Sequence, residues 1–257
     1  MVVYGLKENG ERRRRLVTLQ DGFSAYKSEW MEHGEASDLS PTVFLVEQPA
    51  GSVLKTHFHR QNEYQIVVAG GGQLGPREAT PFTLHYAGAY TGYGPITAGL
   101  DGLSYFTIRA TFDSGALYVP EALGELKRGP KVQAHPDRIL ALDDAARSAI
   151  KDTITRRIIE KVNDNVLAEH VILAPDGRFN LRPVPQTAGM FVVLLGGAMA
   201  APENGFGDSS TTTRLLKTLE SIFISSDEVS PLCVQAESLG CEFCVLHIPH
   251  IDPVYAT

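Results

Sequence analysis

GSVLKTHFHRQNEYQIVVAG, residues Gly51–Gly70, is the stretch that decides how the rest of the chain is read. His57 and His59 stand one residue apart, and Glu63 follows four residues after His59. Successive side chains of a β-strand point to opposite faces, so the two histidines project together while Phe58 points away. A turn at residues 60–62 and a returning strand over 63–69 bring Glu63 onto the same face, with Gln65 and Val67 following it inward at period two. Two imidazoles and a carboxylate with open positions suit a divalent iron, and they also accept manganese, nickel, copper or zinc.

The spacing Gly51-x5-His57-x-His59-x3-Glu63-x6-Gly70 resembles, position for position, the first signature motif of the cupin superfamily. The resemblance implies an all-β chain built from double-stranded β-helix (jelly-roll) barrels. It also implies one divalent metal ion, iron first, held by His57, His59 and Glu63.

Composition agrees with that frame. A chain of 257 residues with 43% hydrophobic side chains can bury one large core or two smaller ones. A formal charge of −7 argues against nucleic-acid and anionic-membrane partners, because a backbone-binding surface needs positive potential. The one basic run, Arg12–Arg15, is flanked by acidic residues and reads as a solvated strand edge or interface. The three cysteines all lie near the C-terminus and form no even framework, which predicts reduced thiols and a cytoplasmic protein. Cys241 and Cys244 read as strand residues on opposite faces, hence as core. No segment reaches the ~18 uninterrupted apolar residues of a spanning helix, and the first residues do not read as a leader. The expected partner is a small-molecule substrate, with neither nucleic acid nor membrane, and a homodimer is left open.

In chain order, residues 1–40 give weak strand signals such as 15–19. Thr42–Val46 is β-rich, and Gln48–Gly51 is turn chemistry leading into the histidine strand. Short strands are predicted at Phe82–Tyr86, Tyr90–Tyr93 and Leu103–Thr111, with glycine and proline between them, the pattern of a sandwich or barrel. Residues 120–138 carry three prolines and dense charge and read as a linker. One amphipathic helix is predicted within Asp143–Val162, giving way to a strand at Arg157–Ile159.

The second half echoes the first. A shift of 126 residues lays Pro49 on Pro175, Gly51 on Gly177 and Gly70 on Gly196, with Val67 and Val68 on Val193 and Leu194. Under that shift His57 becomes Pro183, His59 becomes Pro185 and Glu63 becomes Gly189, none of which ligates a metal through its side chain. A similar echo joins Gly102–Ile108 to Gly240–Leu246. The chain therefore resembles a bicupin with two barrels in tandem and a short helical linker. Residues 1–130 form the N-terminal barrel with the metal site, and residues 131–257 form the linker helix and a degenerate barrel.

The second cupin motif, G-x5-P-x-G-x2-H-x3-N, is not intact. Laying its turn on Tyr90–Pro95 puts Pro95 in the histidine position. Either the site keeps three ligands, or the barrel has lost its metal and kept the pocket. His85, on the preceding strand, is the nearest substitute and a candidate pocket residue. Gln65 and Tyr93 are candidate substrate contacts, Tyr93 through its phenolic hydroxyl. His135, His170, His247 and His250 read as structural or exposed. The cupin resemblance implies, as the sharpest activity, a metal-dependent dioxygenase acting on a small chelating molecule such as a diol, a diketone or a hydroxy acid. The alternatives are a metal-dependent isomerase or lyase and a non-catalytic small-molecule-binding bicupin.

Overall fold

The computed structural model describes residues 1–19, 21–32, 39–161, 164–203 and 212–256. The fold is all-β: among the described residues nineteen strands in antiparallel sheets form two jelly-roll barrels in tandem. In chain order the strands are β1 (Val2–Gly5), β2 (Arg15–Thr18), β3 (Ser24–Met31), β4 (Thr42–Gln48), β5 (Val53–Leu54), β6 (His57–Phe58), β7 (Glu63–Leu74), β8 (Arg77–Ala79), β9 (Leu84–Ala87), β10 (Ile96–Arg109), β11 (Leu117–Tyr118) and β12 (Gln133–Ala134). The second half carries β13 (Ile154–Lys161), β14 (Val166–Leu173), β15 (Arg178–Leu181), β16 (Thr187–Pro202), β17 (Thr213–Lys217), β18 (Ser221–Ser225) and β19 (Leu232–Pro249). No described helix is long and apolar enough to cross a membrane.

The two compact units exchange their ends. One comprises Glu8–Arg138 with His250–Thr257, and the other comprises Met1–Lys7 with Ile139–Pro249. A division at residue 130 therefore differs from the observed one at the boundary and at both termini. Strand β1 joins the C-terminal barrel by pairing with β18, and the Met1 ammonium donates to Ser225 Oγ and Glu228 Oε2. The C-terminal segment packs on the N-terminal unit, where Tyr255 lies against Tyr90 at 4.8 Å and donates to the Pro130 carbonyl.

In the N-terminal unit the sheet order is β12-β9-β7-β10-β4-β3-β2, with β5 on β10 and β8 on β7; β11 pairs with β6 separately. In the C-terminal unit the order is β1-β18-β16-β19-β14-β13, with β15 on β19 and β17 on β16. The long strands β10 and β19 each bend at a left-handed glycine, Gly102 (φ 75°) and Gly240 (φ 71°), facing a second left-handed glycine, Gly70 and Gly197. A Cβ on Gly70 would lie 2.2 Å from the Gly102 carbonyl oxygen, and one on Gly197 would lie 2.3 Å from that of Gly240. Only glycine meets both the φ and the closeness, so these pairs fix the equivalence of the halves.

That equivalence refines the repeat. Ile108 faces Val43 and Tyr64, and Leu246 faces Ala168 and Phe191. Val43 and Ala168 are thus 125 residues apart while Tyr64 and Phe191 are 127 apart. The shift of 126 is off by one on each side, because two residues are inserted in the second half between β15 and β16. The counterpart of Glu63 is Met190, not Gly189.

Three local expectations also change. Residues 7–13 form a helix, α1 (Lys7–Arg13), instead of a strand edge. Its Gly10 is buried beneath Trp30, where a Cβ would meet the indole at 2.2 Å. Arg14 and Arg15 still act as solvated edge residues, pairing with Glu47 and Glu29. The predicted strand Tyr90–Tyr93 is a turn with Tyr90 at φ 57°. The linker helix is a short α2 (Asp144–Ser148), N-capped by Asp143 accepting from the Ala146 amide; β13 begins at Ile154, and Val162 lies outside the described residues.

Candidate functional site

Strand pairing builds the floor of the N-terminal barrel. Across β9, β7, β10 and β4 the side chains of His85, Gln65, Thr107 and Phe44 stand directly opposite one another. Two residues further along β7 and β10, Glu63 and Arg109 meet. Cross-strand neighbours lie about 5 Å apart at Cβ, so polar side chains placed this way must bond to one another. His57 is pinned opposite Tyr93 by reciprocal backbone hydrogen bonds of 3.1 and 3.0 Å. His57 and His59 face the barrel interior, and Phe58 packs on the other side against Ala89, Tyr90 and Tyr255.

The structure thus brings all six sequence-predicted residues, His57, His59, Glu63, Gln65, His85 and Tyr93, into one buried cluster. It adds two that the sequence reading missed, Arg109 and Asp113. The Arg109 guanidinium donates from Nε (2.9 Å) and Nη2 (2.7 Å) to Glu63 Oε2. Nη2 also lies 3.0 Å from His59 Nε2. A guanidinium only donates, so His59 Nε2 accepts, and its Nδ1–H donates to Asp113 Oδ1 at 2.9 Å. Asp113 lies 3.6 Å from Arg109 Nη1 and accepts from the amides of Arg60 and Gly115. Burial by itself would raise the pKa of Glu63, but the Arg109 guanidinium and the Tyr93 hydroxyl outweigh it and hold the carboxyl below the usual carboxylate range. Asp113 is held at about 2 in the same way, burial being overcome by His59 and Arg109.

Tyr93 ties the other half of the floor together. Its hydroxyl donates to Glu63 Oε1, accepts from Gln65 Nε2 at 3.1 Å and lies 2.9 Å from His57 Nε2. His57 gives its Nδ1–H to the Lys55 carbonyl (2.7 Å), and burial pushes its pKa down to about 4. Its Nε2 therefore carries a lone pair at neutral pH, and the single Tyr93 proton lies between two acceptors. Burial and the adjacent Glu63 carboxylate raise the Tyr93 pKa well above that of a free phenol. His85 donates from Nδ1 to Gln65 Oε1 at 2.9 Å, stacks on His135 at 4.4 Å and is held neutral by burial, with a pKa of about 3. Tyr90, three residues before Tyr93, turns the chain with φ 57°. Tyr93, not Pro95, is the residue of this turn that faces the barrel interior.

Above this floor lies a cavity of about 280 Å³. Its floor groups are His57, His59, Gln65, Tyr93 and Arg109, and its walls are aromatic and aliphatic, with Phe23, Phe44, Leu54, Tyr105 and Tyr118 among them. Glu63 is fully buried behind Tyr93 and Arg109.

A divalent ion shared by His57, His59 and Glu63 does not fit this arrangement. His59 Nε2 and Glu63 Oε2 are 3.9 Å apart, and the Arg109 guanidinium bridges them, while His57 Nε2 is turned to Tyr93. Among the described residues no three His, Cys, Asp or Glu side chains are disposed to hold a metal together. The three residues share the expected face, but their donor atoms do not converge on one point.

No family model matches the chain, and no curated protein matches it. Solved structures do match in fold. Oxalate decarboxylase from Lactobacillus farciminis, as a formate complex, superposes with a TM-score of 0.62 at 12% identity, over 97% of this chain and 86% of that one. A candidate dioxygenase from Nostoc punctiforme gives 0.58 at 12% identity, over 97% and 79%. The pirin of Escherichia coli in complex with nickel(II) gives 0.56 at 11% identity, over 97% and 99%. The chain has the fold of cupin proteins.

Proposed function

We propose that the N-terminal barrel binds a small, uncharged, partly aromatic organic molecule and performs proton-transfer chemistry on it, an isomerisation or an elimination. The cavity over a polar floor carries this reading. At about 280 Å³ it lies near the lower end of ligand pockets and admits a molecule of one or two rings. Arg109 is already matched by Glu63 and Asp113, so the floor holds no spare positive charge for an anionic ligand. Tyr93 faces the cavity with its proton between His57 and Glu63. A carbonyl placed against it would accept the Tyr93 hydrogen bond, which stabilises negative charge developing on that oxygen, and the unprotonated His57 Nε2 beside it is the base available for a proton the ligand loses. The free thiols of Cys233, Cys241 and Cys244 support a cytoplasmic setting.

A second reading has its own observation. The His57, His59 and Glu63 set and the fold shared with a candidate dioxygenase favour metal-dependent oxygenation of a diol, diketone or hydroxy acid. It requires Arg109 to leave both Glu63 and His59. The two readings separate in one experiment: phenols, diketones and hydroxy acids are offered in heavy water with chelator or with added metal, and both oxygen uptake and deuterium incorporation are followed. Proton-transfer chemistry predicts chelator-insensitive deuterium incorporation that is lost in Tyr93→Phe. Metal-dependent oxygen uptake would establish the second reading instead.

A further inference from the structure

We propose that Arg109 is a resident cation that replaces the divalent metal of the barrel, so that the site works without a metal and excludes one. This rests on the N-terminal barrel being the working site, but not on which molecule it binds. The guanidinium nitrogen Nη2 stands 2.7 Å from Glu63 Oε2 and 3.0 Å from His59 Nε2, so two of the three donors expected to hold a metal are already spent on it. Its Nη1 faces the second carboxylate, Asp113. One fixed positive charge thus stands between both carboxylates, in the place a divalent ion would take beside Glu63 and His59.

Arg109 cannot yield the place cheaply. Arg109, Glu63 and Asp113 are all buried, and withdrawal of the guanidinium would strand two carboxylates away from water. Nor can it lose its proton to become a neutral neighbour of an ion, since arginine stays charged in proteins. Asp113 fixes the orientation of His59 so that its free lone pair points at Arg109. The third donor, His57 Nε2, lies against the Tyr93 hydroxyl, which faces the barrel interior. A tyrosine and an arginine together engage all three donors.

The test uses the full chain and metal salts alone, with no organic ligand. Protein produced with added manganese, iron, cobalt or nickel is assayed for metal by mass spectrometry and titrated with Co(II), followed by visible absorption and thermal unfolding. Wild type should carry well under one metal per chain and show no Co(II) bands and no change in Tm. Arg109→Met frees Glu63 and His59 and should bind about one Co(II) per chain, at least ~10-fold more tightly than wild type, with a rise in Tm. Adding His57→Asn to that variant should abolish the binding. Should Arg109→Met not accumulate as folded protein, Arg109→His supplies a further imidazole in its place and should take up Co(II) likewise. Stoichiometric metal in the wild type, bound as tightly as in the variants, would overturn the proposal. So would two folded variants that bind no more metal than wild type. Failure of the small-molecule reading would show separately, as cavity ligands that bind nowhere while the metal results stand.

Discussion

Set register against register, the two barrels differ where their strands face inward. Glu63 answers to Met190, Gln65 to Val192 and His85 to Ile222; across β10 and β19, Tyr105 answers to Phe243 and Thr107 to Val245. Met190, Val192, Ile222, Phe243 and Val245 belong to one continuous apolar core with Leu194, Met199 and Leu216. The backbone pairing is shared, left-handed glycines included, but one interior is a bonded polar floor under a cavity and the other is an apolar core. Identical scaffolding therefore fixes position and not chemistry. The apolar interior supplies stability at roughly 25 cal/mol per Å² buried. The polar interior gains little net stability from its ion pairs, which must first offset desolvation.

The largest break in this contrast should come from Arg109→Met. It leaves Glu63 and Asp113 buried without their cation and should cost about 3–5 kcal/mol in denaturant unfolding. Removing both partners, Glu63→Met with Arg109→Met, should recover much of that loss, a coupling visible in a double-mutant cycle. Additive losses would mean that Arg109 is held by something other than Glu63.

Acid should separate the barrels next. The folded-state pKa values of His57 and His85, about 4 and about 3, lie below the 6.5 of a free imidazole, so the unfolded chain takes up protons first. The N-terminal unit should lose stability as pH falls from about 6.5 to about 4, His57 contributing about 3 kcal/mol to that slope. Thermal unfolding across this range checks it. His85→Ile with Gln65→Val, the residues of the C-terminal register, should flatten the slope.

The smallest effect expected is that of Tyr93→Phe. The change removes one hydroxyl from a buried network and should cost about 1–3 kcal/mol by leaving Glu63 Oε1 and Gln65 Nε2 short of a partner. Its effect on turnover should be far larger than its effect on stability. Equal losses in both would reduce Tyr93 to a structural residue.

Much of this was legible in residues. The alternation of His57, Phe58 and His59 and the period-two run from Glu63 set which side chains share a face, and the resemblance of residues 51–70 to the first cupin motif implied the barrel. Arg109 was not legible. It stands in LSYFTIRAT as a lone charge on an apolar strand, and only its period with Tyr105 and Thr107 hints that it points inward. Its partner is 46 residues away, and nothing local names it. The glycines and prolines of the two halves match best at a shift of 126, a compromise between the 125 and 127 of the paired strands that lies one residue from each. The exchanged ends left no trace either: Val2–Gly5 is an unremarkable four-residue strand whose partner lies more than 200 residues on.

The contrast between a polar barrel with a cavity and an apolar one is tested most directly by methyl NMR of the full chain during titration with a panel of small phenols and diketones. Shifts should concentrate on the cavity methyls of Val46, Leu54 and Thr107 and leave Val192, Leu194 and Val245 unmoved. Shifts centred on the C-terminal core, or none at Val46, Leu54 and Thr107 for any member of the panel, would contradict the assignment of the working site to the N-terminal barrel.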